Sequence, residues 1–398
     1  MSKYIRQLQK QVKKTQQELQ LAVLLTFLLR ASSLVLAYFA DRFLAYQPSF
    51  PYADTLAQNY QLPRWIYSFA GFDGVHYLTI VEKGYVGTGL IQAFFPVWPY
   101  LLRFGSLFGN TIVVGLIIQF FLTVGLFYVW QLFIKAIYPQ VASKTAFFVL
   151  ALWPTSLFFF ALYSETLFLL LICSAFLAAH HKNWKVAVLV AAIASATRIV
   201  GVLLVPALMF EFWMQQEKGN LKTLPLFIKK HWQQLCFLSL GSLGLLAYMA
   251  YLYFQFGDPL LFKTVQSQWG HQRSDQLILY PQVVWRYAKS FLKSFKFELG
   301  WWTIAQEAVV GVVTPWLPFV FKEIRLSHLL FGLSVTLVPT LTGTFSSLPR
   351  YILANFPIFI AVALLISKYP KSKFIWFALS TFILICNTIL FIQGYWVA

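Results

Sequence analysis

The chain has 398 residues, of which 59% are hydrophobic, 19% aromatic and only 11% charged. Soluble globular domains usually carry about 25% charged residues, so this composition excludes a water-soluble protein. Backbone groups in lipid must be hydrogen-bonded within their own segment. The sequence therefore predicts an all-α, polytopic membrane protein that forms a single domain over residues 1–398.

The basic residues are distributed between the apolar runs, and they account for the net charge of +18. This placement follows the positive-inside rule and suits anionic lipid headgroups. No basic soluble domain is left to bind a polynucleotide, so we expect membrane lipids, and no nucleic acid, as partners. Cys173, Cys236 and Cys386 lie inside apolar runs and predict no disulfide framework.

The N-terminal third begins with a polar, basic segment at residues 1–20, which we expect on the cytoplasmic face. The apolar run after it is long enough to span, and no small-residue cleavage pattern follows, so it predicts a first span rather than a signal peptide. Residues 41–93 then form a long first external loop. Residues 94–108 contain two prolines within four positions, which favours a re-entrant or kinked helix.

The middle of the chain contains spans at residues 111–134 and 145–163, the second broken by a proline, and a return span at 166–179. Residues 186–213 lie between two basic loops and are expected to cross an even number of times. Thr197 and Arg198 interrupt this run, which predicts two short half-helices meeting near Arg198.

The last part begins with a span at residues 235–256, which leads to a second external loop at residues 257–300. Within it, residues 285–295 alternate aromatic and basic side chains at helical spacing. This pattern is typical of an interfacial helix, which either anchors the chain or binds a lipid phosphate. With the remaining apolar runs, the chain is predicted to have ten to twelve membrane segments. The predicted membrane is the plasma membrane of a prokaryote or the endoplasmic reticulum of a eukaryote.

The carboxylates fall mostly on the external side in this topology. A transporter of protons or cations is expected to carry ionisable groups near the middle of the bilayer, and no internal repeat of the transporter type is visible. The distribution therefore favours chemistry at the outer surface. Asp73 and His76 are spaced to share one face of a helix. A carboxylate beside an imidazole suggests proton-transfer chemistry. The alternative is an interfacial helix with ordinary polar contacts.

Three further ionisable residues interrupt apolar sequence. Glu165 is a second candidate catalytic carboxylate, although it could equally mark the end of a span. Arg198 and Arg350 lie at the outer ends of apolar segments, where each requires an anionic partner. Asp73 and His76 alone are weak evidence for a metal. The sequence therefore predicts no metal site and no cofactor, with a divalent cation left open.

Several short motifs follow one another in an order that resembles the PIG-V-like mannosyltransferases of the GT-C superfamily, in particular their prokaryotic members. These motifs are Phe72-Asp73-Gly74-Val75-His76-Tyr77, Gly84-Tyr85, residues 93–99, Trp153-Pro154-Thr155-Ser156, Tyr163-Ser164-Glu165-Thr166, residues 197–201, Gly257-Asp258-Pro259, Gln266, Trp269-Gly270 and Leu348-Pro349-Arg350-Tyr351. The chain departs from the family with Phe72 before the acid, where Trp is frequent, and with Val97-Trp98 where Leu-Tyr is frequent. Both changes keep aromatic character.

The resemblance implies a GT-C fold and transfer of a hexose, most simply mannose, on the non-cytoplasmic face. The donor would be a polyprenyl- or dolichyl-phosphate sugar, and the acceptor a glycolipid, such as the precursor of the GPI anchor, or a cell-envelope molecule. The implied catalytic residues are Asp73 as general base, His76 and Glu165. The implied substrate-binding residues are Tyr77, Trp98, Arg198, Asp258, Trp269, Arg350 and Tyr351.

Two alternatives stay open at this point. One is a related transferase that moves another sugar or acts on protein or a cell-wall polymer. The other is not an enzyme: a lipid or solute transporter, or a non-catalytic subunit of a membrane complex. Asp73 distinguishes the classes, because a transferase requires it and a transporter should tolerate its replacement.

Overall fold

The computed structural model describes residues 2–47, 56, 58–217, 221–269, 273–274, 276–296 and 298–398. The described part contains α-helices and short 3-10 turns, and no strand is found in it. The helices are α1 (Ser2–Phe43), α2 (Arg64–Tyr67), α3 (Asp73–Lys83), α4 (Val97–Gly105), α5 (Thr111–Ile137), α6 (Ser143–Ala151), α7 (Glu165–His180), α8 (Trp184–Ser195), α9 (Leu204–Glu217), α10 (Leu224–Ser239), α11 (Leu243–Phe256), α12 (Leu261–Thr264), α13 (Tyr280–Ser294), α14 (Gly300–Val313), α15 (Leu326–Thr340), α16 (Leu348–Tyr351), α17 (Pro357–Lys368) and α18 (Ser372–Ile392).

Six helical stretches of the described chain are long and apolar enough to cross a membrane: Thr15–Phe43, Thr111–Ile137, Ile199–Glu217, Leu224–Phe256, Gly300–Val320 and Ser372–Ile392. Leu348–Ala354 and Pro357–Lys368 meet at 86° and add a seventh if they form one bent span. Three shorter apolar helices, α7, α8 and α15, accompany them. By length and composition the chain is an all-α integral membrane protein, and the count of ten to twelve segments stays a prediction.

Helix α5 packs against α1 and α7. Its first turn is capped by Asn110, whose side-chain oxygen accepts the backbone N–H of Ile112 (3.1 Å) and that of Val113 (3.4 Å). Buried Gln119 donates to the backbone oxygen of Tyr163 (3.0 Å). These bonds satisfy polar groups that water cannot reach in a bilayer, and they fix the chain ahead of α7.

The charged side chains form two groups that lie about 24 Å apart along α5, given a rise of 1.5 Å per residue between Gln119 and Lys135. At the Lys135 end, Lys135 pairs with Glu18, and Arg325 pairs with Glu211 (2.7 Å). Asp73 and Glu165 belong to the Gln119 end. The side of the membrane on which each group lies stays a prediction.

Several predicted segments have different bounds in the structure. Residues 94–108 contain the nine-residue α4 and a 3-10 turn at Ser106–Phe108, which together are too short to cross a bilayer that needs about 20 residues. Residues 145–163 are not one helix, because α6 ends at Ala151 and a 3-10 turn follows. The span predicted to begin at residue 235 starts earlier, at Leu224, and bends at His231.

The chain breaks at Arg198, as the sequence predicts. Helix α8 ends at Ser195, Arg198 adopts an extended conformation (φ −152°, ψ 148°), and a 3-10 turn leads into α9. The second half is longer than a half-helix, because Ile199–Glu217 is long enough to span. The break turns the Arg198 side chain toward α7.

Gly201 allows this close return of the chain. A Cβ atom at position 201 would lie 2.1 Å from the backbone oxygen of Ala194, and backbone cannot move aside as a flexible side chain would. We expect Gly201→Ala to destabilise the protein by roughly 1–3 kcal/mol and to lower its melting temperature in detergent. Gly89→Ala is the matched control, because nothing lies within 4 Å of its Cβ position. Equal melting temperatures for the two variants would contradict this account.

Candidate active site

Asp73 and Arg350 are 277 positions apart and form an ion pair. Arg350 Nη1 donates to Asp73 Oδ2 at 2.6 Å. Asp73 is the first residue of α3, and Arg350 lies in the short helix α16. The Arg350 side chain is 4% exposed and that of Asp73 is 22% exposed. The carboxylate is therefore the more accessible partner.

Glu165 connects this pair to a second arginine. Arg198 Nη1 donates to Glu165 Oε1 at 2.6 Å, and Arg350 Nε lies 3.3 Å from the same oxygen. Glu165 is 4% exposed. Two carboxylates and two guanidinium groups thus balance in formal charge, and charges this deeply buried require such pairing.

Tyrosine side chains surround the four charges. Tyr163 OH accepts the backbone N–H of Asp73 (3.2 Å) and donates to Gly71 O (3.1 Å). The guanidinium carbons of Arg198 and Arg350 lie 5.2 Å and 5.0 Å from the centroid of the Tyr351 ring. These distances suit cation–π attraction, so the rings hold both arginines in place.

Tyr77 joins the same cluster through a serine. Its hydroxyl lies 3.2 Å from Ser164 Oγ, and Arg198 Nη1 donates to that oxygen at 3.1 Å. Ser164 precedes α7 and Tyr77 follows Asp73 by one helical turn. Six of the ten residues that the resemblance implies, Asp73, Tyr77, Glu165, Arg198, Arg350 and Tyr351, are therefore brought together in one hydrogen-bonded cluster.

The backbone is strained next to both members of the ion pair. Phe72, directly before Asp73, has φ 52°, and Ser347, three residues before Arg350, has φ 64°. Positive φ values are unfavourable for residues with a Cβ atom, and such residues cluster at functional sites. The Phe72 ring packs against Phe391 (5.4 Å between centroids) and Trp396 (5.5 Å), which offsets the strain at that position.

His76 lies beside the cluster and stacks on Phe94, with 4.9 Å between ring centroids. Burial lowers the pKa of His76 from 6.5 to about 4, against the opposing effect of the Asp73 charge. The imidazole is therefore neutral at neutral pH. In that form it can exchange a proton with neighbouring groups but supplies no positive charge.

This lowered pKa predicts a loss of stability in acid. Between pH 6.5 and 4 the unfolded chain binds a proton at His76 that the folded chain does not, so stability falls as the pH is lowered. At pH 5 this difference in proton binding lowers the free energy of unfolding by about 2 kcal/mol. We expect His76→Phe, which keeps the stacking on Phe94, to show a smaller drop in melting temperature from pH 7 to pH 5 than the wild type. An equal drop in both proteins would contradict the burial of a neutral imidazole.

The other implied residues lie elsewhere. Trp98 is fully buried and donates from Nε1 to Leu162 O (3.4 Å), which places it in the core behind Tyr163. Asp258 accepts the backbone N–H of Leu260 (2.8 Å) and the Thr264 hydroxyl (3.1 Å), so it stabilises its own loop. The side chain of Trp269 lies outside the described residues. The cluster does not include Asp258.

Three neighbours of the cluster were not among the predicted site residues. Tyr163 and Ser164 were named only as part of the motif around Glu165, Tyr163-Ser164-Glu165-Thr166. The charge of Arg273 acts on the hydroxyl of Tyr351. Arg273 precedes Ser274, whose backbone N–H donates to Thr342 O (2.8 Å). No sequence signal distinguishes Arg273 from the other basic residues of its loop.

The described residues contain no group of three or more His, Cys, Asp or Glu side chains placed to hold a metal ion. Among known proteins, the chain matches no family model, and no curated protein is significantly similar to it. Any function must therefore be argued from the geometry of the cluster and from the sequence motifs.

Proposed function

We propose that this protein is a membrane glycosyltransferase that uses a polyprenyl- or dolichyl-phosphate sugar as donor and Asp73 as general base. One observation carries the proposal: in a protein of membrane-spanning helices, the accessible carboxylate of Asp73 pairs with Arg350, and buried Glu165 connects Arg350 to a second arginine, Arg198. A lipid-phosphate donor needs cations for its leaving phosphate and a base for the acceptor hydroxyl. The cluster contains both.

Asp73 has an oxygen available for the acceptor. Arg350 occupies Oδ2, and none of the described residues makes a hydrogen bond to Oδ1. The acceptor hydroxyl would give its proton to Oδ1 while its oxygen attacks the anomeric carbon of the donor. The bond from that carbon to the phosphate oxygen breaks, and the lipid phosphate leaves with the electron pair. The anomeric configuration is inverted in this single displacement.

The arginines would stabilise the leaving group. A lipid phosphate is already a good anion, so the step needs positive charge rather than a general acid. Arg198 and Arg350 are held in fixed positions and are largely shielded from water. Fixed charges stabilise a developing anion most strongly in such an environment. Arg273 adds a further positive charge on the Tyr351 side.

Glu165 fits a positioning role better than a catalytic one. It is buried between the two arginines and contacts both. Removing a carboxylate from such a site leaves cations uncompensated. Glu165 would then hold the arginines in the orientation that the phosphate requires.

The identity of the sugar and the acceptor is proposed from the sequence motifs. These motifs favour mannose as the sugar. They also favour transfer on the non-cytoplasmic face to a glycolipid or cell-envelope acceptor. The site itself supports the phosphate chemistry and does not distinguish one hexose from another.

The proposal is tested with radiolabelled polyprenyl-phosphate mannose, and with the glucose and galactose analogues, in membranes that contain the protein. We expect loss of label from the donor and its appearance in a second molecule, with no such transfer in membranes from cells lacking the protein. If no donor is consumed, the catalytic proposal fails, and a transporter or a non-catalytic subunit becomes the better account.

A further inference from the structure

A second polar site lies next to the cluster. A cavity of about 330 Å³ opens between α13, the first two turns of α14, the loop before α16 and the C-terminal segment. Small-molecule sites usually begin at about 300 Å³, so the cavity has room for one small ring. Its polar lining comes from Arg286, Tyr287, Ser290, Thr303, Glu307 and Ser346.

Glu307 forms the base of this cavity and has no part in the proposed reaction. It is 5% exposed. Its Oε2 accepts the Tyr287 hydroxyl at 2.6 Å, and the Ser347 backbone and the Trp396 side chain lie near its carboxylate. A carboxylate buried in an otherwise apolar helix is costly. The Tyr287 hydrogen bond offsets part of this cost, and Glu307 is also one of the residues that line the cavity.

Arg286 brings the opposite charge to the cavity. Its Nη1 donates to the backbone oxygen of Gly343 at 3.1 Å, and none of the described carboxylates lies within 4 Å of its guanidinium. Among the described residues, Gly343 O alone accepts a hydrogen bond from the five N–H donors of this guanidinium. Buried Ser346 Oγ also has no hydrogen-bond partner among the described residues.

The cavity shares a wall with the candidate active site. Trp396 lines it, and the Trp396 ring packs against Phe72, the residue before Asp73. Glu307 also lies near the backbone of Ser347, which is three residues before Arg350. An occupant of the cavity would therefore sit close behind the residues that begin α3 and α16.

We propose that this cavity, here named the Glu307 cavity, is a sugar-binding subsite that holds a neutral, polyhydroxylated ring of the acceptor. One carboxylate and one guanidinium, unpaired with each other, present both an acceptor and donors, as the hydroxyl groups of a sugar require. Because the two charges cancel, the site favours an uncharged ligand. Trp396 and Tyr395 add aromatic surface for the apolar face of the ring. This inference rests on the proposed function, because it assigns the ring to the acceptor.

Binding is measured without catalysis, by tryptophan fluorescence and by saturation-transfer NMR. The full-length protein is purified in a detergent that has no sugar headgroup. The probes are methyl α-mannoside, methyl α-glucoside and inorganic phosphate. Ser290→Trp should fill the cavity, and Arg286→Gln should remove the positive charge and most of the donors of the guanidinium. Lys289→Trp and Lys289→Gln are the matched controls, because Lys289 lies next in sequence, is exposed, and does not line the cavity.

We expect at least one glycoside to bind the wild type at millimolar concentration and the two cavity variants to bind it about tenfold more weakly. The Lys289 controls should bind it as the wild type does. No binding of a glycoside to the wild type would overturn the subsite, as would equal binding by Ser290→Trp. Phosphate binding that Arg286→Gln abolishes would also overturn it and define an anion site.

The failure of this inference is distinguishable from failure of the proposed function. Asp73→Asn should still bind the glycoside, because Asp73 does not line the cavity. If transfer depends on Asp73 but no glycoside binds, only the subsite is wrong. If a glycoside binds but no sugar donor is consumed, the cavity binds sugars for a reason other than transfer, and the assignment to an acceptor is wrong.

Discussion

Asp73→Asn is expected to abolish sugar transfer while the protein remains folded. Asparagine has nearly the same shape and its oxygen still accepts a hydrogen bond from Arg350, so the contact at 2.6 Å can be kept. It cannot take a proton from the acceptor hydroxyl. Loss of a general base typically lowers the rate about 10²–10⁴-fold. The measurement is transfer of label from polyprenyl-phosphate mannose, or from whichever donor the wild type uses.

Glu82→Gln is the matched control for this experiment. Glu82 lies in the same helix as Asp73 and accepts the Tyr60 hydroxyl at 2.7 Å, a bond that glutamine can also accept. Its activity should stay near that of the wild type. A folded Asp73→Asn variant that still transfers sugar at the wild-type rate would eliminate Asp73 as the base and require another group to take the proton.

Arg350→Lys is expected to lower transfer about 10²–10³-fold, the usual effect of losing one preorganised group that stabilises developing negative charge. Lysine keeps the positive charge. However, it has no planar fork to contact Asp73 and Glu165 together, and its ammonium cannot reproduce the two contacts at 2.6 Å and 3.3 Å. The rate with saturating donor should fall together with the apparent affinity for donor.

Loss of stability alone would also lower activity, and Arg325→Lys separates the two causes. Arg325 forms a comparable ion pair with Glu211 (2.7 Å) in the charge group at the Lys135 end of α5. Both variants should melt at lower temperature, but only Arg350→Lys should lose transfer per folded molecule. Equal specific activity in the two variants would show that Arg350 has a structural role only.

The membrane class and the break at Arg198 could be predicted from sequence, because both depend on local composition. The lengths of the helices were harder to predict. Lys229, Lys230 and His231 suggested that the chain stays outside the bilayer until residue 235, yet the helix begins at Leu224 and continues through them with a bend. Long basic side chains can reach the membrane surface from within a helix, so charge alone does not mark where a helix begins.

The sequence identified individual residues of the site but did not predict how they are arranged in space. Asp73, Glu165, Arg198 and Arg350 are conspicuous because each interrupts apolar sequence. Glu165 lies between both arginines because α3, α7 and α16 pack together and because the chain breaks after α8. Asp258 matched a motif equally well and lies in a loop of its own. Short motifs specify residue type, and only tertiary packing decides which of them meet.

The positive φ values of Phe72 and Ser347 limit how the chain can vary through evolution. Glycine and asparagine adopt such conformations at little cost, and β-branched residues do so least readily. Valine or isoleucine at position 72 or 347 would turn the start of α3 or α16 and move Asp73 or Arg350 with it. Substitutions at these two positions are therefore restricted by backbone geometry, although neither residue carries a catalytic group.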